Sequence, residues 1–409
     1  MLLQSSSPFS GRYALSRSVL IVSLHADPTT LVGGMENGGV TVYVRELSHA
    51  LASEGWEVDV VTRRQSPGLP DRERTDGFDV IRIDAGPPKT LRNDEVAEFF
   101  PEARDAVLKL ADKRAYRFVS SHYWLSGILG ETVRHETGAP HVHTLHSHGI
   151  ERKKRDPVTL ERIEAERRLL SSTPIIALSK AHIALIRQRY GVEANVYVIP
   201  AGVDTQRFRP GERSGALHAL GLASSKRWIG YVGRLAKEKG IEDLLHAFSL
   251  LHIQRPDVGL FVVGGSSGRA RIAYLAELAE RLHIADVVRF IGPIENLNAA
   301  WAFQGADVIA VPSHYEAFGL VALEARACGV PIISSDVGGL RDLVAQESGG
   351  ARVPPRDRTA WARALAEVLR PDELRRRKDL AIQYRGDEVY PWSTIAKRIA
   401  SVALSGADV

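Results

Sequence analysis

Residues 307–328 read DVIAVPSHYEAFGLVALEARAC. The apolar run DVIAVPS predicts a buried strand and LVALEARAC carries helical spacing, so the segment is a strand, a tight turn and a helix N-terminus. That junction suits a bound phosphate, because unpaired backbone N–H groups and the helix dipole both point at it. Two glutamates, Glu316 and Glu324, flank the helix start in EAFGLVALE, and the upstream loop GRLAKEKG holds Arg234 and Lys239. Two cations for a diphosphate and two carboxylates for hydroxyls describe a site for a sugar nucleotide.

The same alternation runs through the whole chain. Strands are expected at SVLIVSL, EVDVVTR, FDVIRID, RFVSSHY, PHVHTLH, PIIALS and VYVIPAG, then at WIGYVGR, GLFVVGG, VVRFIGP, DVIAVPS and PIISSDV. Helical stretches lie between them, among them VYVRELSHALASEG and LERIEAERRLLSS, with later helices starting near Ile241, Arg269, Asn296, Phe318 and Leu340. Alternating strands and helices imply α/β domains with parallel sheets. A junction near VDTQRFRPGER, punctuated by Pro200, Pro210 and Gly211, divides the chain into two doubly wound Rossmann-like domains with a cleft between them. The tail from Tyr390, YPWSTIAKRIA, reads as a helix.

Composition sets limits. The 409 residues are 44% apolar and 25% charged, ordinary for a globular protein. No run of about 18 apolar residues is present, so no membrane span is expected. The leading MLLQSSSPFSGRYALSR lacks an apolar core and reads as a loose tail. One cysteine, Cys328, cannot form an internal disulfide, which fits a reducing compartment and a cytoplasmic location. The net charge is +4 and scattered. Its two clusters, Arg152-Lys153-Lys154-Arg155 and Arg375-Arg376-Arg377-Lys378, lack interleaved aromatics and read as solvated faces, with neither nucleic acid nor membrane as partner. A homo-oligomer stays open.

Three separated motifs in order, V-G-R-L-x-x-x-K-G, E-x7-E and C-G-x-P-I-I-x-S-D-V-G-G, resemble the donor-binding half of the retaining family 4 glycosyltransferases. In the first half SLHADP, GGVTVYVREL, SHYWLSG and HTLHS narrow the resemblance to the branch of sucrose-phosphate synthases, sucrose synthases and the mycothiol-pathway N-acetylglucosaminyl transferase that acts on inositol phosphate. The resemblance runs from about Val19 to about Trp392. It implies the GT-B fold: residues 1–205 as an acceptor-binding domain, 206–387 as a nucleotide-sugar-binding domain, and a helix at about 388–409 crossing back onto the first.

The activity so implied is transfer of a hexose from an NDP-sugar, UDP-glucose or UDP-N-acetylglucosamine, with retention and without metal or other cofactor. Arg234 and Lys239, at the carboxyl end of WIGYVGR where open sheets bind ligands, would stabilise the departing diphosphate. Glu324 can accept hydrogen bonds from ribose hydroxyls, and Glu316 resembles the residue that holds the transferred hexose. Amides of Phe318, Gly319 and Leu320 would meet phosphate or sugar oxygens, with Gly319 permitting close approach. Gly38 and Gly39 would approach the donor from the other side, closing the cleft. His146 matches the histidine beside the transferred sugar.

For the acceptor, Tyr123 and Arg162 match a tyrosine and a phosphate-binding arginine of the mycothiol-pathway enzyme, and Lys89 or Arg92 would add a second cation. Thr41 falls where that enzyme has asparagine and Ser147 where it has threonine, departures that count against inositol phosphate itself; the acceptor is expected to be a sugar phosphate, a cyclitol or an aminocyclitol. His141, His143, His146 and His148 recur at spacings of two or three, and His141 and His143 share a strand face. No Cys or H-E-x-x-H accompanies them, so no metal site is assigned. Two alternatives remain: an NDP-sugar epimerase, which lacks E-x7-E, and a non-catalytic sugar-nucleotide-binding protein, which would be expected to have lost His146, Arg234 or Lys239.

Overall fold

A computed structural model describes residues 17–30, 38–92, 95–151, 155–193, 195–265, 269–294, 298–386 and 389–405. The tail before Arg17, the loop from 31 to 37, Arg152, Lys153 and Lys154 of the first basic cluster, and Asn296 lie outside the described residues. The chain divides into two compact units: residues 17–30, 39–202 and 392–405 form the first, and Gly38 with the described residues of 203–391 form the second.

The first unit is built on an eight-stranded sheet. Its strands are β1 (Ser18–Val22), β2 (Glu57–Arg63), β3 (Arg72–Thr75), β4 (Phe78–Ile83), β5 (Phe118–His122), β6 (His141–Leu145), β7 (Ile175–Ala177) and β8 (Val196–Val198). They lie in the order β3-β4-β2-β1-β5-β6-β7-β8. All neighbours are parallel except β3 and β4. β1, β5 and β6 are buried along their whole length, as parallel strands covered on both faces must be.

β3 was not expected, because RERT has no apolar face. It pairs Thr75 with Phe78 across Asp76-Gly77, and both turn residues have positive φ, 34° and 96°. An Asp-Gly pair between two runs is the signal that would have found this hairpin.

The second unit carries a six-stranded sheet, all parallel. It contains β9 (Arg227–Val232), β10 (Val258–Val263), β11 (Val288–Gly292), β12 (Val308–Val311), β13 (Ile332–Ser335) and β14 (Ala351–Val353). The order β11-β10-β9-β12-β13-β14 is doubly wound, and its direction reverses between β9 and β12. Ile229, Val308, Leu260 and Ile333 of the sheet share a core with Ile241, Leu244, Leu245 and Phe248 of the helix Ile241–His252.

Most expected strands stop short of their motif's end. The trailing residues of WIGYVGR and DVIAVPS turn out of the sheet at Gly233, whose φ is 150°, and at Pro312, which has no N–H to donate to a ladder. The helix expected near Phe318 spans Leu320–Ala327.

The reading of Arg375 to Lys378 as a solvated face holds for Arg375 and Arg376, which are exposed, and is corrected for Arg377 and Lys378. Arg377 is buried and donates to the carbonyls of Gly350 and Gly349, at 2.7 and 3.3 Å. Lys378 Nζ lies 2.6 Å from Asp307 Oδ1. Asp307 Oδ2 accepts from the Trp228 amide and from Arg213, both at 2.8 Å, so this carboxylate ties β9 to the start of β12. Desolvated carboxylates require such partners.

The helix Trp392–Ser405 belongs to the first unit and packs on the helix Gly39–Ser53. Trp392 meets the edge of Tyr43 at 5.1 Å between ring centroids. No helix among the described residues is long and apolar enough to cross a membrane.

Candidate active site

In the second unit one cation and one carboxylate of the sequence motifs, Lys239 and Glu316, meet at the reversal of strand order, the place where open α/β sheets bind ligands. β9 delivers the loop with Arg234 and Lys239, and β12 delivers Ser313 and Glu316. Lys239 Nζ donates to Glu316 Oε2 at 2.8 Å, and Ser313 Oγ donates to the same oxygen at 3.1 Å. Arg234 Nη2 reaches Glu238 at 3.0 Å. Its carbonyl accepts from the buried hydroxyl of Tyr231 at 2.7 Å, which pins the loop to the strand.

Gly319 precedes the helix Leu320–Ala327 with φ 101°, a conformation that side chains disfavour. Phe318 is buried, while Glu324, the helix's fifth residue, is half-buried. The D-V-G-G motif is explained by packing: a Cβ at Gly338 would collide with the Glu316 carbonyl oxygen, and one at Gly339 would lie 2.7 Å from Phe318 Cα. The Gly339 amide donates to that Glu316 carbonyl at 3.1 Å.

In the first unit the strand order reverses between β1 and β5. His25, after β1, stacks edge-on against Tyr123, after β5, at 4.2 Å. Arg162, from the helix Pro157–Ser172, is buried and lies 4.6 Å from the Tyr123 ring centroid. Its Nη1 donates to the Tyr123 hydroxyl at 2.7 Å, and its Nη2 donates to the carbonyl and hydroxyl of Ser147, each at 2.9 Å.

The structure thus brings together Tyr123, Ser147 and Arg162, and adds a partner the sequence did not reveal. Arg162 Nε donates to Glu166 Oε1 at 2.7 Å, and Glu166 also accepts from the Gly149 amide at 2.8 Å and from the Tyr190 hydroxyl. The i, i+4 spacing of Arg162 and Glu166 on one helix was the available signal.

Lys89 and Arg92 are exposed on the segment after β4, where Arg92 pairs with Glu95 at 3.6 Å. Thr41 is fully buried, and its Oγ1 has no hydrogen-bond partner among the described residues. Gly39 opens its helix, with Gly38 directly before it.

His146 stands one residue beyond β6 with its Nε2 3.0 Å from Nδ1 of His122, the last residue of β5. Tyr43 packs edge-on against His146 at 5.0 Å. Burial, then the neighbouring imidazoles, holds the His146 pKa well below its ordinary value, so the ring is neutral. His141 Nε2 and His143 Nδ1 share the Ser121 hydroxyl, at 2.6 and 2.8 Å.

Asp27 of SLHADP was also missed. It pairs with Arg82 at 2.8 Å, both side chains fully buried, and accepts from the Thr29 amide at 2.9 Å. This fixes the start of the loop after β1. In FDVIRI, Arg82 shares a strand face with the apolar Phe78 and Val80, which was the available signal.

Residues 37–207 match the family described as Glycosyltransferase Family 4, and residues 217–381 match Glycosyl transferases group 1. The chain is 33% identical to D-inositol 3-phosphate glycosyltransferase 2 of Catenulispora acidiphila over 95% of both chains. It is 35% identical to the D-inositol 3-phosphate glycosyltransferase of Geodermatophilus obscurus over 89% of this chain and 84% of that one. Sucrose-phosphate synthase of Thermosynechococcus elongatus superimposes with a TM-score of 0.86 at 33% identity, covering 95% of this chain and 98% of that one.

Proposed function

The chain belongs to the family 4 glycosyltransferases of GT-B fold, and from that premise we propose that it transfers a hexose from a UDP-sugar to a phosphorylated polyol, with retention at the anomeric carbon. The donor is UDP-glucose or UDP-N-acetylglucosamine, and the acceptor is an inositol phosphate or a sugar phosphate. The observation that carries this reading is the Lys239–Glu316 pair at the reversal of strand order in the second unit.

Lys239 and Arg234 neutralise the negative charge that grows on the diphosphate as the bond to the sugar breaks, which favours the transition state over the ground state. Glu316 and Glu324 accept from hydroxyls of the hexose and the ribose, and the amides after Phe318 meet phosphate oxygens. The acceptor hydroxyl attacks the anomeric carbon on the face the diphosphate leaves. The C–O bond electrons pass to the leaving phosphate oxygen, and that oxygen takes the acceptor's proton, so no covalent enzyme intermediate and no metal is required. His146, neutral and buried, positions the transferred sugar.

Two features support a phosphorylated acceptor: the buried Arg162 guanidinium with the Tyr123 and Ser147 hydroxyls around it, and relatives whose names specify inositol 3-phosphate. The test is turnover of purified protein with UDP-glucose and UDP-N-acetylglucosamine against inositol phosphate, a hexose phosphate and the unphosphorylated analogues, with the product anomer read by NMR. Transfer only to unphosphorylated acceptors, or inversion, would overturn the proposal.

A further inference from the structure

His122 is a fully buried histidine that the family motifs left without a role. It ends β5, and in the register with β6 it lies opposite Thr144, two residues before His146. Its Nδ1 is 3.0 Å from His146 Nε2, and its Nε2 is 3.4 Å from the Ser120 hydroxyl. Tyr43 packs against both rings, tilted at 5.5 Å from His122 and edge-on at 5.0 Å from His146. Burial keeps His122 neutral, its pKa pushed down to about 3, with the neighbouring imidazoles of His143 and His25 adding to the effect.

We propose that His122 is the positioning residue of the transfer reaction: by occupying His146 Nε2 it fixes that ring's tautomer and rotation and leaves Nδ1 as the nitrogen offered to the transferred sugar. A neutral imidazole has one donor nitrogen and one acceptor nitrogen. Two neutral rings joined Nδ1 to Nε2 share a single proton, so the state of His122 dictates whether His146 Nδ1 donates or accepts. Packing alone would be met equally well by an apolar side chain, which carries no unsatisfied polar atom into the core. The inference rests on the proposed role of His146 beside the sugar, and it names the atom through which that role is exercised.

The experiment separates hydrogen bonding from packing. His122→Asn places an amide atom where Nδ1 was, whereas His122→Gln places it nearer the position of Nε2, and His122→Phe supplies neither. Asn is expected to keep kcat within about threefold, while Gln and Phe lower it roughly tenfold with the donor KM nearly unchanged, the loss expected of one hydrogen bond. Histidine-labelled protein read by long-range proton–nitrogen NMR should show one neutral tautomer of His146 in the wild type and in His122→Asn, and a tautomer mixture in His122→Gln.

Equal losses for Asn and Gln, or a loss confined to donor KM, would overturn the proposal. So would a His146 tautomer that is the same in all variants. The spectra need no substrate. If the wild-type protein transferred no sugar, the function above would fail while the coupling of the two rings was still decided. Thermal melts confirm that the compared variants are folded, and if Phe does not fold, Asn and Gln, one methylene apart, carry the comparison.

Discussion

Lys239 and Glu316 come from loops after two different strands, β9 and β12, and meet in one ion pair at 2.8 Å with side chains 25% and 16% exposed. The acid is held by Ser313 as well, so the lysine and the carboxylate are both set in place before any ligand arrives. Such fixed charges cost no reorganisation when a diphosphate departs.

Lys239→Ala and Arg234→Ala are each expected to lower kcat about a hundredfold or more, since each removes a charge that stabilises the leaving group. Because Lys239 also holds Glu316, the double variant Lys239→Ala/Glu316→Gln should lose less than the product of the single losses. Steady-state kinetics decide the matter. Near-normal turnover in either cation variant would place the chemistry elsewhere.

Turnover should survive EDTA. In the proposed mechanism Arg234, Lys239 and the amides at the start of the helix Leu320–Ala327 take the role a metal has in other transferases, and no D-x-D motif precedes a donor loop. The measurement is initial rate with and without chelator, and recovery of a lost rate on adding magnesium or manganese would refute the assignment.

Gly338→Ala should raise the donor KM and destabilise the protein by about 1–3 kcal/mol. The residue has φ 45°, and its Cβ would run into the Glu316 carbonyl oxygen, pushing the segment that carries Glu316 out of line. Gly221→Ala, at φ 67° with open space around it, is the control for backbone strain alone. An equal effect on donor KM in both would mean that Gly338 has no part in shaping the site.

The donor half of the candidate site could be named because its residues are local in sequence: a loop after one strand and a turn before one helix hold Arg234, Lys239, Glu316 and Glu324. The sequence implied a doubly wound sheet but not its strand order, and it is the adjacency of β9 and β12 that makes their two loops neighbours. The acceptor half was less legible. Tyr123, Ser147 and Arg162 could be named by resemblance, yet the charge of Arg162 is matched by Glu166, and the Gly149 and Tyr190 contacts to that acid come from distant segments. His25, Asp27 and His122 were hidden for the same reason, since a buried polar residue looks like any other polar residue until its partner is known. The cluster at Arg375 misled because charge runs read as solvent-facing, whereas Arg377 is spent on the carbonyls of Gly349 and Gly350.

Stability should fall steeply as pH drops below about 6.5. His25, His122, His141, His143, His146, His148 and His182 are all buried in the first unit. Burial, the first cause in every case, depresses each pKa, to about 3 for His25, His122 and His143 and about 4 for His182. A depressed histidine pKa means the unfolded chain binds protons more readily. The stabilising difference is therefore complete above the ordinary value of 6.5 and is lost on acidification from there toward the folded values. Each such histidine contributes a slope of about 1.4 kcal/mol per pH unit in that window. Urea unfolding at pH 7.5, 6.5 and 5.5 would measure it, and a flat profile would mean that these rings take up protons in the fold as readily as in the unfolded chain.

The last prediction concerns Arg162, whose buried guanidinium is already shared between Glu166, Tyr123 and Ser147. Removing it outright would leave Glu166 buried without its cation, a loss of about 3–5 kcal/mol that would confuse folding with binding. Arg162→Lys keeps the charge opposite Glu166 but removes the planar fork that can grip a phosphate. If the acceptor carries phosphate on this guanidinium, its KM should rise roughly ten- to a hundredfold, the equivalent of a charge-assisted contact worth about 1.5–3 kcal/mol. The donor KM should stay nearly constant, and the KM of an unphosphorylated analogue should not move. Tyr123→Phe and Ser147→Ala, which each remove a hydroxyl from the same guanidinium, should shift the acceptor KM in the same direction by smaller amounts. If Arg162→Lys is silent and neutral polyols are preferred, Arg162 and Glu166 are a structural pair, and the departures at Thr41 and Ser147 point to an uncharged acceptor.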